Sequence, residues 1–189
     1  MRIIAGKAGG RRIQAPDTSD TRPATDRVRE AVFSSIGGWI VDADVADLYA
    51  GSGSFGLEAL SRGARSVVFV EKARKALLAL RANIDDTGLG GTVIEAPVER
   101  VLDSGWGPET LFHVVFMDPP WDQPTGVMEQ QLSTLDQFLA LEGEVVVSRR
   151  HTDTEPRIPE NWRVAANKRY GDTRILRYTK ADPRKDGEL

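Results

Sequence analysis

The chain contains no cysteine, which removes disulfides and thiolate zinc sites from consideration. Its only two histidines, His113 and His151, stand in unrelated contexts, so no metal is expected in an active site. No stretch approaches the ~18 consecutive apolar residues of a membrane span, and Arg2, Lys7, Arg11 and Arg12 interrupt any apolar leader. A soluble, cytoplasmic protein without a membrane partner is the expectation. What is present is ordinary globular composition, 40% apolar and 28% charged over 189 residues. That length suits one α/β domain with a core and a small appendage.

The net charge of −3 conceals an uneven distribution. Residues 1–29 carry seven Lys or Arg against three acids, residues 30–148 seven against eighteen, and residues 149–180 nine against four. Two basic ends around an acidic middle, folded to one face, would attract phosphates; scattered, they are solvated surface charge. On the first reading Lys7, Arg11, Arg12, Arg149 and Arg150 are candidate nucleic-acid contacts.

Arg2-Ile3-Ile4 and Arg12-Ile13-Gln14 read as a hairpin turned through Gly6 and Gly9-Gly10, making residues 1–20 an N-terminal extension. A polar connector, Pro16 to Pro23, leads to a helix that Thr25 or Asp26 can cap, running through Val28, Ala31, Val32 and Ile36 to Gly37-Gly38. Strands over Val45–Tyr49, Ser66–Glu71, Thr92–Ala96, Phe112–Met117 and Val145–Ser148 then alternate with helices over Phe55–Arg62, Arg74–Asp85, Glu99–Leu102 and Val127–Leu139. Such alternation predicts an α/β fold with a parallel, doubly wound sheet. Trp162–Arg169 and Thr173–Thr179, joined by Tyr170-Gly171-Asp172, add an antiparallel hairpin. The main domain is expected over 21–180, with a flexible tail at 181–189.

Asp47-Leu48-Tyr49-Ala50-Gly51-Ser52-Gly53-Ser54-Phe55-Gly56 follows the first of these strands and opens a helix. Gly51, Gly53 and Gly56 fit G-x-G-x-x-G, and Glu71 ends the next strand, where a carboxylate can chelate two ribose hydroxyls. The pattern fits NAD as well as S-adenosylmethionine. Asp47 favours the second: it would repel a pyrophosphate, whereas it suits an ammonium or a water beside it. The chain also has little room for a dehydrogenase's second domain.

Asp118-Pro119-Pro120-Trp121 follows the buried run Val114-Val115-Phe116-Met117. The order gives one acceptor carboxylate, two residues without N–H donors, then a large flat ring. The Asp118 carboxylate and the Pro119 carbonyl could accept both N–H groups of an exocyclic amine and aim its lone pair at a methyl donor. Trp121 could stack on the extruded base, worth ~1–3 kcal/mol. A Pro-Pro turn with a half-buried Trp is the plain alternative.

These blocks in this order resemble the amino-directed S-adenosylmethionine-dependent methyltransferases. Gly10-Arg11-Arg12-Ile13, the run from Arg22 to Phe33, and Leu57-Glu58-Ala59-Leu60-Ser61-Arg62-Gly63-Ala64 narrow the resemblance to the RsmD family, guanine-N2 methyltransferases of bacterial small-subunit rRNA. It extends over residues 1 to about 180. The resemblance implies a class I methyltransferase fold, a seven-stranded Rossmann-like sheet with one antiparallel C-terminal strand, and a hairpin that helps grip RNA. It implies that Asp47, Gly51 and Gly53 contact the methionine part of S-adenosylmethionine and Glu71 its ribose, with Tyr49 and Ser52 also in the cofactor site. Thr25 and Arg27 would lie near its carboxylate and Val98 near its adenine. Asp118, Pro119, Pro120 and Trp121 would form the catalytic corner, with Trp121 where the family more often has Phe or Tyr. The implied reaction methylates N2 of a guanine in 16S rRNA, within the small subunit or its assembly intermediate, by a monomer that releases S-adenosylhomocysteine. An adenine-N6 methyltransferase, a non-catalytic RNA-binding assembly factor and a nicotinamide oxidoreductase are the other readings.

Overall fold

Helical and strand periodicities alternate into a seven-stranded sheet in the computed structural model, which describes residues 1–15, 25–106 and 111–184. The connector at 16–23, including Arg22 and Pro23, and the end of the tail at 185–189 lie outside the described residues. After α1 (Asp26–Ile36) come β1 (Asp44–Leu48), α2 (Ser54–Ser61), β2 (Ser66–Glu71), α3 (Arg74–Thr87), β3 (Thr92–Glu95) and α4 (Val98–Ser104). They are followed by β4 (Phe112–Met117), α5 (Thr125–Leu135), β5 (Leu139–Arg150), β6 (Trp162–Tyr170) and β7 (Thr173–Lys180). The strand order is β3-β2-β1-β4-β5-β7-β6. β7 is antiparallel to both neighbours, so β6 again points with the parallel set. This is the doubly wound sheet that the sequence predicts.

Helices cover both faces, so the central strands are buried on each side and read as continuous apolar runs. On one face α1, α2 and the N-terminal segment pack around Phe33, Phe55 and Phe116, with the last two rings stacked 5.0 Å apart. On the other, α4 and α5 pack with Trp162 and Tyr178. Thr25 caps α1, its hydroxyl accepting the Val28 N–H at 3.3 Å.

Several boundaries differ from the sequence reading, and β5 runs over Leu139–Arg150 where the sequence predicts only Val145–Ser148. β1 stops at Leu48 because Tyr49 adopts φ +62, a left-handed turn that ends the strand. The helix expected to reach Leu139 ends at Leu135 in a 3-10 turn (Asp136–Phe138), and Leu139 already pairs with Phe112. The register then shifts to pair Val114 with Glu144, and Glu142 at φ +61 absorbs the extra residues.

The N-terminal hairpin is a single bridge, Arg2 to Arg12, and its support comes from α2 rather than from a second ladder. The Glu58 carboxylate accepts the N–H groups of Ile4 (2.6 Å) and Ala5 (3.1 Å), and Ser61 receives those of Lys7 and Ala8. At Gly6 (φ +80) a Cβ would lie 1.9 Å from the Ser61 carbonyl oxygen, so only glycine permits this approach. Ile3, Ala8 and Ile13 enter the core, and the buried Arg29 donates to the Arg2 carbonyl. Asn83 of α3 bonds Gln14 on both backbone groups and the Ser52 carbonyl, joining the segment to the glycine loop.

Candidate active site

β1 has β2 on one side and β4 on the other, so the chain reverses its winding direction between β1 and β4. At such a point the loops leaving two adjacent parallel strands part and open a crevice beyond their C-terminal ends. Leu48 lies in register with Met117 and Val70, which brings the glycine loop, Glu71 and Asp118 to one end of the sheet.

Glycine is needed in the loop for space as well as for torsion. A Cβ on Gly53 (φ +82) would meet Leu80 at 2.5 Å, and one on Gly56 would meet the Phe69 ring at 2.2 Å. The turn is held by two carboxylates. Asp47 is buried and accepts the Gly56 N–H at 2.8 Å, satisfying a donor in the first turn of α2. Glu71 accepts the Gly51 N–H at 2.8 Å on one oxygen, and those of Lys72 and Ala73 on the other. Oε1 thus accepts two donors, while Oε2 accepts one and retains a lone pair for a further donor.

The electrostatics are negative. Burial pushes the Asp47 carboxyl well above the usual range, against the pull of the Gly56 N–H, and the Asp118 and Glu71 charges push it further. Burial likewise raises Asp118 to about 6, opposed by a hydrogen bond from Ser148. Three acidic groups therefore gather around one crevice, and burial disfavours the charged form of Asp47 most. That field suits a cationic ligand and opposes a pyrophosphate.

Loop 118–124 is fixed by three successive residues of β5. Beyond the Met117–Val147 pair, the Ser148 side chain faces Asp118 and draws its carboxyl down, against burial. Arg149 donates to the Gln123 carbonyl at 3.0 Å, and the Arg150 guanidinium lies 5.1 Å from the Trp121 ring centroid. On the opposite side Gln123 donates to Gln131, which donates to the Tyr49 hydroxyl (2.7 Å) and to Glu99 (3.0 Å). Burial drives the Tyr49 hydroxyl up to about 12, so it stays neutral and in place. This buried chain of polar groups ties the Asp-Pro-Pro-Trp loop to the first residue of the glycine loop. The Pro119 carbonyl, in a buried residue, has no hydrogen-bond donor among the described residues.

The fold thus brings together Asp47, Tyr49, Gly51, Ser52, Gly53, Glu71 and Asp118 to Trp121. Thr25 is the α1 cap, and Arg27 is exposed in the first turn of that helix. Val98 is 3% exposed and packs in the core with Val101 and Leu102, so its side chain has no open face for adenine. Lys7 and Arg12 are exposed, whereas Arg11 donates to the Asp86 and Thr87 carbonyls at the end of α3. Arg149, expected on the surface, is 4% exposed and ion-paired with Asp153 at 3.1 Å. Its charge is spent inside the protein. Ser148, Gln123, Gln131, Glu99 and Asn83 were not singled out by sequence. A signal existed at Gln131, a polar residue at a core position among Met128, Leu132 and Leu135.

The chain is similar to known proteins over most of its length. The family model described as conserved hypothetical protein 95 matches residues 1–179. Ribosomal RNA small subunit methyltransferase D of Escherichia coli (strain K12) is 34% identical over 181 residues, 94% of this chain and 89% of that protein. YlbH of Bacillus subtilis (strain 168) is 35% identical over 162 residues, 85% of this chain and 86% of YlbH. The solved structure of yhhF from Escherichia coli superposes with a TM-score of 0.84 at 33% identity, covering 96% of this chain and 98% of that one.

Proposed function

The chain belongs to the conserved hypothetical protein 95 family, the RsmD family of the resemblance, and from that membership we propose that it methylates N2 of a guanine in small-subunit rRNA with S-adenosylmethionine as donor. The observation that carries the reading is the meeting of Asp47, Glu71 and Asp118 at the crevice between β1 and β4, with the free Pro119 carbonyl beside them.

The residues present fit the cofactor. Glu71 keeps a lone pair on Oε2 to accept a ribose hydroxyl, the glycine turn leaves space for close approach, and the acidic surroundings favour a cation. Asp47 acts from behind the loop, fixing it through Gly56. When bound, S-adenosylmethionine supplies an electrophilic methyl group on positive sulfur. The chain's own contribution is to hold the amine. Asp118 and the Pro119 carbonyl accept its two N–H groups, which draws the nitrogen out of conjugation and fixes its lone pair toward the donor. Trp121 offers its ring to the base. Prolines 119 and 120 keep those acceptors free of local N–H competitors and hold the corner rigid.

Incubation with labelled S-adenosylmethionine and small subunits from cells lacking the enzyme, followed by digestion to nucleosides, tests the proposal. N2-methylguanosine is expected. N6-methyladenosine would move the target to adenine, and no methylated nucleoside would end the enzymatic reading. A separate measurement tests the ribose contact: Glu71→Ala should weaken cofactor binding by calorimetry about 10–100-fold, because it removes a charged hydrogen-bonding partner worth ~1.5–3 kcal/mol. Unchanged affinity would remove Glu71 from the cofactor site.

A further inference from the structure

Nine cations lie between residues 149 and 180, and the fold neutralises six of them. Arg149 pairs with Asp153, Arg157 with Glu129, Arg163 with Glu142, Arg174 with Glu155, Arg177 with Glu144 and Lys180 with Asp136. Arg150, Lys168 and Arg169 have no acid within ion-pair distance among the described residues. Arg150 rests on Trp121, and Arg169 donates only to the Gly171 carbonyl in the turn.

The three unpaired cations share one end of the molecule. β6 points in the same direction as β5, so Lys168 and Arg169, near its C-terminus, lie at the end of the sheet where Asp118 and Arg150 emerge. Arg169 is in register with Arg174 and through it with Arg149, two strand spacings or ~10 Å away. Both Lys168 and Arg169 are exposed. As consecutive strand residues they project to opposite faces, so the strand end presents positive charge on both sides. Lys168 and Tyr170 also line a shallow groove with Ala31 of α1. Arg27 precedes Ala31 by one helical turn on the same face, is exposed, and likewise lacks an acidic partner among the described residues.

If the charges of this segment served only solubility, the unpaired ones would have no reason to collect beside the candidate active site. We propose that the tip of the β6–β7 hairpin, through Lys168 and Arg169 with Arg27 and Arg150 flanking them, grips the sugar-phosphate backbone of the RNA strand whose base enters the Asp118–Trp121 corner. This contact rests on the reading of the protein as an rRNA methyltransferase. It lies across the crevice from any contact made by the N-terminal hairpin, and its role is to position the strand without reading sequence.

The test uses the full chain carrying Lys168→Gln and Arg169→Gln, both exposed positions, against wild type. Binding to small subunits and to a naked rRNA fragment is measured over a salt series, together with methylation kinetics and cofactor calorimetry. Two lost phosphate contacts should make the slope of log affinity against log salt shallower by about 1.4–1.8. KM for the subunit should rise about 10-fold or more while kcat and cofactor affinity stay within about two-fold. A salt slope and KM equal to wild type would overturn the contact. Weaker binding to subunits with unchanged binding to the fragment would place it on a ribosomal protein and overturn it equally. Wild-type protein that transfers no methyl group would defeat the functional reading instead, and the slope alone would then decide the RNA contact.

Discussion

Asp118→Ala is expected to reduce methyl transfer by about 10²–10³-fold while cofactor affinity stays within about three-fold, because the lost carboxylate is a preorganised partner of the reacting amine. The size of the effect follows from the way the loop is held. Ser148, Arg149 and Arg150 fix residues 118, 123 and 121 in turn, so no neighbouring acceptor can swing into the vacated place. Activity near that of wild type would remove Asp118 from the amine site. The same carboxyl sets a pH dependence. Only its ionised form accepts an N–H on either oxygen, and burial lifts it to about 6, so the acid limb of the rate profile should fall near that pH. Stability runs the other way. A carboxyl raised by folding binds its proton more tightly in the folded state, so ionising it opposes folding. Stability is lost as pH rises from the ordinary aspartate range to about 6, and the loss persists above. Asp118→Asn should therefore be more stable than wild type at pH ~8 by about 1–3 kcal/mol, with the gap closing near pH ~4. Equal melting temperatures at both values would show that the carboxyl is not strained by its surroundings.

Glu58→Ala should lower the melting temperature by roughly 10 °C, the consequence of about 3–5 kcal/mol lost when one member of a buried charged network is removed. Glu58 is fully buried and accepts from three donors: Ile4 N–H, Ala5 N–H and the Arg62 guanidinium at 2.6 Å. Alanine would leave all three without their partner, two of them in the segment that brings Ile3, Ala8 and Ile13 into the core. Thermal unfolding followed by circular dichroism measures the effect. A change of less than about 2 °C would mean that residues 1–15 are held by apolar packing alone.

How far the sequence could be read depended on the range of the interactions. The alternation of apolar runs and helical spacing is local, and it predicts the order of elements and the C-terminal hairpin. The glycine loop, Glu71 and Asp118-Pro119-Pro120-Trp121 were legible because each motif follows a strand, and consecutive parallel strands deliver their loops to one end. The partners of those motifs were not. Ser148-Arg149-Arg150 reads as a polar strand end facing water; only the pairing of β4 with β5 puts it against the Asp118 loop. Val98 looks like a residue just past a strand, yet it opens α4 and turns inward. Glu58 in an otherwise apolar helix was a visible anomaly, but its meaning depends on a backbone segment 53 and 54 residues away.

The β6 strand has one further consequence, for the protein when no RNA is near. Among the described residues it ends the sheet, so a row of its backbone donors and acceptors faces outward without a neighbouring strand. A second copy of the chain could zip onto that row, the first step of ordered aggregation. Two features of the strand work against it. The pairing with β7 slips between Val164 and Ala166, which twists the border out of flatness. Lys168 and Arg169 would bring like charges face to face in any such union. The side chains proposed to hold a polyanion thus also guard the border against self-association while the protein waits for its substrate.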